Sequence, residues 1–260
     1  MARRGSMMLA ALALLPLVAA ASPAAAREAR RADIAAAVAA PGRDAEAVVL
    51  DAGRHPVEIL TFEGLKPGMV AADIMAGSGY YSEIMARVAG PKGRVDAYEP
   101  SQFAADPKAK AAWDALQARN PNLRFVSYRF EAFAAPANSY DFVMLHLSYH
   151  DLYWESAKYA VPRTDPQAFL AALYRATRPG GTVAVIDHIA APGDTRAVVD
   201  KMHRIDPAVV KADFKAAGFV LAGESDMLRV PGDDHAKLVF DPAIRGKTDR
   251  MVLRFVKPKG

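Results

Sequence analysis

The chain has 260 residues, 52% of them apolar, which is ample for a buried core in one large domain or two small ones. It has no cysteine, which excludes disulfides, thiolate metal sites and cysteine nucleophiles and is compatible with an oxidising compartment. The formal net charge is +4, and no lysine/arginine block with interleaved aromatics suggests nucleic-acid binding.

The first residues, MARRGSMMLAALALLPLVAAASPAAA, combine Arg3 and Arg4 with an apolar stretch from Met7 to Ala21 and the small-residue site Ala24-Ala25-Ala26. That pattern reads as a secretory signal, residues 1–26, cleaved after Ala26, and predicts an exported, periplasmic protein. An anchoring helix needs roughly 18 or more uninterrupted apolar residues, and Pro16 breaks this run, so no stable membrane insertion is expected after cleavage. Loss of Arg3 and Arg4 lowers the formal charge to +2, so the basic balance says little about partners. Residues 27–60 read as a helical cap with no evident chemistry of its own, ahead of a main domain over 61–260.

From Met69 onward short apolar runs alternate with helical stretches. The strands read MVAAD, RVDAYE, LRFVSY, DFVMLHL, TVAVID, FVLAGES and MVLRFVK. Between them KAKAAWDALQAR, DPQAFLAALYRAT and DPAVVKADFKAAG read as helices, two of them opening with Asp-Pro, an N-cap followed by proline in the first turn. Alternation of this kind predicts an α/β fold with a doubly wound, mostly parallel seven-stranded sheet, closed by an antiparallel hairpin of the last two strands at one edge.

The stretch DIMAGSGYYSE, Asp73 to Glu83, reads as strand, glycine turn, helix, and such a turn suits a nucleotide-like cofactor. A nicotinamide site wants a third glycine where this chain has Ser82. GMVAADIMAGSGYYSEIMA instead resembles the first motif of class I S-adenosylmethionine-dependent methyltransferases: Asp73 falls on the acid ending strand one, Gly77 and Gly79 on the second and third glycines. Met75 falls on the first glycine, a departure that narrows the floor of the site. The acid ending the next strand is Glu99 in RVDAYEP, which the resemblance and its distance from the turn assign to the ribose hydroxyls. Glu131, after strand three, is a candidate for the adenine amino group, and RATRPGGTVAVIDH resembles the turn that opens the family's fifth strand. More narrowly, RHPVEILTFEGLKPGMVAAD, SYHDL, IDH, HRIDPAVVKADFKAAGF and RGKTDRMVLRFVKP resemble a group of bacterial exported predicted methyltransferases. The resemblance implies S-adenosyl-L-methionine as cofactor, bound by Asp73, Ala76, Gly77, Ser78, Gly79, Tyr80, Glu99, Glu131 and His146.

In an open α/β sheet the ligand lies beyond the carboxyl ends of the strands at the switch point. DFVMLHLSYHDLYW puts His146, Tyr149, His150 and Asp151 at the mouth of strand four, and VAVIDHIA puts Asp187 and His188 beyond strand five. Methyl transfer needs an acceptor positioned and relieved of its proton, and a histidine with an ordinary pKa near 6.5 suits that task. His150 is the first candidate base and His188 the second, with Asp187 as partner. His146, Asp187 and His188 are also the residue types of a divalent metal site, but no metal is expected. The polar loop DDHAKLVFDPAIRGKTDR reads as a solvated hairpin loop or as a lid over the acceptor.

The leading reading is thus an exported methyltransferase acting on a small-molecule acceptor. Its alternatives are a non-catalytic module binding S-adenosylmethionine or S-adenosylhomocysteine, and a nicotinamide oxidoreductase.

Overall fold

Four aspartates set helix starts from residue 106 onward. Asp106, Asp165 and Asp206 each precede a proline and accept the backbone N–H two residues on, at 2.7, 2.9 and 2.8 Å, and Asp194 caps Ala197 in the same way. The computed structural model describes residues 22–260. In chain order the elements are α1 (Pro23–Ala39), α2 (Ala45–Val49), α3 (Asp51–Arg54), α4 (Pro56–Glu63), β1 (Val70–Ile74), α5 (Tyr80–Ala89), β2 (Arg94–Pro100), α6 (Ser101–Ala104), α7 (Pro107–Arg119), β3 (Leu123–Tyr128) and β4 (Tyr140–His146). A tight helical turn over Tyr149–Tyr153 follows. Then come α8 (Pro166–Ala176), β5 (Thr177–His188), α9 (Thr195–Met202), α10 (Pro207–Ala216), β6 (Val220–Ser225) and β7 (Arg250–Val256).

The seven strands form one sheet in the order β3-β2-β1-β4-β5-β7-β6. The first five are parallel, and β7 runs antiparallel to both β5 and β6. The doubly wound sheet expected from the alternation is therefore present, with β7 inserted one place inside the edge. Ile34 of α1, Ile59 and Leu60 of α4, Ile84 of α5 and Trp113 of α7 bury against one face. Leu170 and Leu173 of α8 with Val210 and Phe214 of α10 bury against the other. Two covered faces explain why the central strands read as continuous apolar runs.

The front of the chain is bound into this arrangement. α1 packs on α4 and α5, and α4 runs unbroken through residue 60, so the helical cap and the main domain share one core. Residues 1–21 of the expected signal lie outside the described residues, and α1 continues across Ala26. Among the described residues no helix is long and apolar enough to cross a membrane.

Candidate active site

β1 and β4 are hydrogen-bonded neighbours, yet their outgoing chains turn to opposite faces, which opens a crevice at their carboxyl ends. Each strand is followed at once by a non-glycine residue held in the left-handed region, Met75 at φ 54° and Leu147 at φ 57°. Such residues carry a strain of about 1–2 kcal/mol each, and a pair of them at one crevice marks a site the surrounding fold has fixed. A cavity of about 280 Å³ lies there, walled by Met75, Ala76, Gly77, Ser78, Tyr80, Glu99, Phe130, His146, Leu147, Ser148 and Asp151, with Arg54 from the front of the chain.

The glycine turn works as backbone geometry demands. Gly77 and Gly79 both take positive φ, 57° and 79°. A Cβ on Gly79 would stand 2.5 Å from Leu116 and 2.9 Å from Trp113, so the turn presses directly on α7. The Gly77 N–H donates to Glu99 Oε2 at 2.7 Å, which ties the end of β2 to the turn. That leaves the other carboxylate oxygen of Glu99 for a ligand. Burial pushes Glu99 up to about 8, against the Gly77 hydrogen bond.

Several sequence-assigned residues stand elsewhere. Asp73 is buried behind the turn, where it accepts the Ser82 hydroxyl at 2.6 Å, and burial raises it to about 7. It supports the first turn of α5 and does not wall the cavity. Ser82, the residue that departs from a nicotinamide signature, is its partner. Gly79 faces α7. Glu131 points outward and pairs with Arg129, while its neighbour Phe130 reaches the cavity. Of the residues assigned to the cofactor from the sequence, Ala76, Gly77, Ser78, Tyr80, Glu99 and His146 line this one cavity.

The catalytic candidates form a buried cluster beside the cavity. Asp187 accepts His150 N–H at 2.9 Å, His188 N–H at 2.7 Å and the His150 ring at Nδ1 at 2.8 Å. The other ring nitrogen of His150, Nε2, lies 3.3 Å from Asp151 Oδ1. Burial opposes protonation of His150, but the two carboxylates outweigh it and raise the imidazole to about 9. His150 is 3% exposed and each ring nitrogen faces a carboxylate, which favours the protonated ring and leaves neither nitrogen open to the cavity. His188 bonds Thr248 Oγ1 at 2.7 Å through Nδ1, and burial lowers it to about 3. It is a neutral structural ring, also off the cavity wall. Asp151 is the one member of the cluster that walls the cavity. Among the described residues no three acidic, histidine or cysteine side chains come together as metal ligands.

Sequence reasoning missed Arg54. It lies in the segment read as chemically silent, yet α3 and the left-handed turn at His55 aim it into the cavity, stacked 4.3 Å over the Tyr80 ring. Asp51, the nearest acid in sequence, is taken by Arg43 at 2.7 Å and by the Tyr80 hydroxyl at 2.6 Å. No carboxylate among the described residues pairs with Arg54, and burial lowers its pKa. His146 Nε2 is likewise buried without a partner. The polar loop before β7 is also not a plain solvated hairpin: Asp233 forms a buried ion pair with Arg204 at 2.9 Å, and Asp249 holds His235 and Arg229.

Residues 72–185 match the methyltransferase domain family. The fold is that of class I methyltransferases. A methyltransferase from Aquifex aeolicus that depends on S-adenosylmethionine superposes with a TM-score of 0.56 at 19% identity, covering 87% of this chain and 97% of its own. The 1,6-didemethyltoxoflavin-N1-methyltransferase of Burkholderia thailandensis, solved with S-adenosylhomocysteine bound, superposes at 0.51 and 17% identity, covering 95% and 93%. The [4+2]-cyclase SpnF also shares the fold, at 0.55 and 16% identity over 80% and 82%. No functionally curated protein matches the chain by sequence. Methyltransferase domains of this fold take S-adenosylmethionine as cofactor, and the cavity fits it: a free carboxyl oxygen on Glu99 suits ribose hydroxyls, and the unpaired Arg54 suits the carboxylate of the methionine moiety.

Proposed function

We propose that this chain is an exported S-adenosylmethionine-dependent methyltransferase acting on a small-molecule acceptor. The observation that carries the reading is the pairing of Glu99 with the Gly77 N–H at the mouth of a cavity whose far wall holds a cation without an acid. Bound there, the cofactor supplies an activated methyl group on a sulfonium. Glu99 holds the ribose, Arg54 holds the carboxylate, and Tyr80, stacked under Arg54, fixes the guanidinium plane. Phe130 supplies an apolar wall that excludes water on the adenine side. Asp151 is the cavity carboxylate available to take an acceptor proton; His150 and Asp187 hold it in place from behind.

Calorimetry with S-adenosylmethionine, S-adenosylhomocysteine and NAD tests the cofactor class. Binding of the first two and not the third is expected; NAD binding alone would overturn it. Export rests on the sequence of residues 1–26 and is tested by N-terminal sequencing of the mature protein, which should begin at Arg27.

A second reading, a binding module without turnover, draws on Met75, whose side chain walls the cavity where the family has glycine. Transfer of a labelled methyl group to any compound in an acceptor screen rules it out.

A further inference from the structure

Two carboxyl groups share the cavity, and they differ in what stands behind them. Glu99 ends β2 and is tied to the turn after β1. Asp151 follows β4 on the other side of β1 and is a quarter exposed at its side chain. It is the outer member of a row, Asp187, His150, Asp151, whose inner contacts are 2.8 and 3.3 Å. Asp187 is fully buried and is saturated by three donors, and it matches the positive charge of the His150 ring. The row as a whole therefore keeps one unmatched negative charge, and that charge sits on the cavity wall.

We propose that Asp151 reads the charge of the bound cofactor: its carboxylate favours the cationic methyl donor over the neutral thioether left after transfer, so that the reaction itself loosens the ligand. This rests on the cofactor reading above. Position supports it. A ligand held at Glu99 beside β1 and at Arg54 spans the switch point, and Asp151 is the acid on the β4 side of that span. Charge supports it too. Burial holds Glu99 up at about 8, so at neutral pH it is largely uncharged, while Asp151, raised to about 6 by burial, is ionised. The charged groups facing Asp151 are His150, 3.3 Å away, and Asp187 behind it, with Glu99 and Arg54 lining the same cavity; one positive ring shared between two carboxylates leaves a net negative charge toward the ligand, and Arg54 is taken by the ligand's own carboxylate. In a partly buried cleft with a low effective dielectric, one such pairing separates a cation from a neutral isostere by tenfold or more.

Three probes in calorimetry decide the matter without any acceptor: S-adenosylmethionine, S-adenosylhomocysteine, and sinefungin, whose amine-bearing carbon replaces the methylated sulfur. The wild-type protein should bind both cations at least about tenfold tighter than the thioether. Asp151→Asn should bring all three within about twofold by weakening the cations, while thioether affinity, which also reports an intact fold, stays put. Asp151→Glu should keep the preference. Asp151→Ser serves as a second neutral variant should the asparagine protein fail to fold. A wild-type protein that binds all three alike overturns the inference, as does a neutral variant that keeps the cation preference. If none of the three binds the wild-type protein, the cofactor reading falls, and the inference falls with it.

Discussion

Asp187→Asn is the sharpest perturbation of the cluster that follows β4 and β5. The carboxamide keeps the shape but loses the charge, and it turns an NH2 group toward one of three N–H donors. Removing one partner of a buried ion pair costs about 3–5 kcal/mol, because the other charge stays buried and uncompensated. The pH dependence is more specific. His150 carries its proton in the folded chain up to about 9 and in the unfolded chain only to about 6.5. Between those values the folded state binds more protons, so stability is highest below 6.5 and declines as pH rises; the full loss is about 3 kcal/mol. Asp73 and Glu99, raised to about 7 and 8, slope the same way; above pH 8 Asp73 has all but finished and Glu99, half titrated there, adds about 0.4 kcal/mol, against about 1 kcal/mol from His150. Urea unfolding at pH 6, 8 and 9.5 should show that late decline in the wild type, and Asp187→Asn should keep only the smaller part that belongs to Glu99. A wild-type stability that is flat from pH 8 to 9.5, or a variant that keeps the full slope, refutes the assignment of the His150 charge to its carboxylate partners.

Glu99→Ala should weaken S-adenosylhomocysteine by about 0.5–1.5 kcal/mol at neutral pH, the worth of an uncharged hydrogen-bonding group, with the fold checked by circular dichroism. Arg54→Ala should weaken S-adenosylhomocysteine by about 1.5–3 kcal/mol, the worth of a charge-assisted hydrogen-bonding group, and leave 5′-methylthioadenosine, which lacks the amino-acid end, unchanged; equal losses for both would show that Arg54 does not meet the carboxylate. Gly79→Ala should cost about 1–3 kcal/mol from overpacking on Leu116 and Trp113, beyond about 1–2 kcal/mol for its left-handed backbone, whereas Gly77→Ala should cost only the backbone part, since nothing lies near its Cβ position. Met75→Gly should relieve the left-handed strain and tighten cofactor binding several-fold in calorimetry; unchanged affinity would mean that the methionine does not narrow the cavity.

The sheet and the glycine turn were legible because they depend on local chemistry: period, aspartate caps and positive-φ glycines act within a few residues. Glu99 could be placed at the cavity because the end of β2 beside the turn follows from strand order alone. The rest needed three dimensions. His150 was visible as a histidine past β4, but its protonation depends on Asp187, which lies 37 residues away in sequence, and on Asp151, two carboxylates that favour the protonated ring. Arg54 opens the stretch RHPVEILTFEGLKPGMVAAD that carries part of the resemblance, but nothing in that stretch shows where its side chain goes; only the packing of α3 and α4 turns it into the cavity. The acid read as a cofactor contact, Asp73, has its side chain turned toward Ser82, a difference of direction within one strand end.

The place of β7 bears on the order in which the molecule can assemble. β6 precedes it in the chain but touches the sheet only through it, since the strand order is β5-β7-β6. Residues 220–225 therefore reach the sheet only through residues 250–256, and until β7 pairs with β5 the five parallel strands keep one central edge open. Closing that edge joins segments far apart in sequence, a late and slow step for a chain of this topology. During that interval β5 is a bare strand edge on which another chain can pair, so dilution or a holding chaperone should raise the refolding yield more than added ligand does.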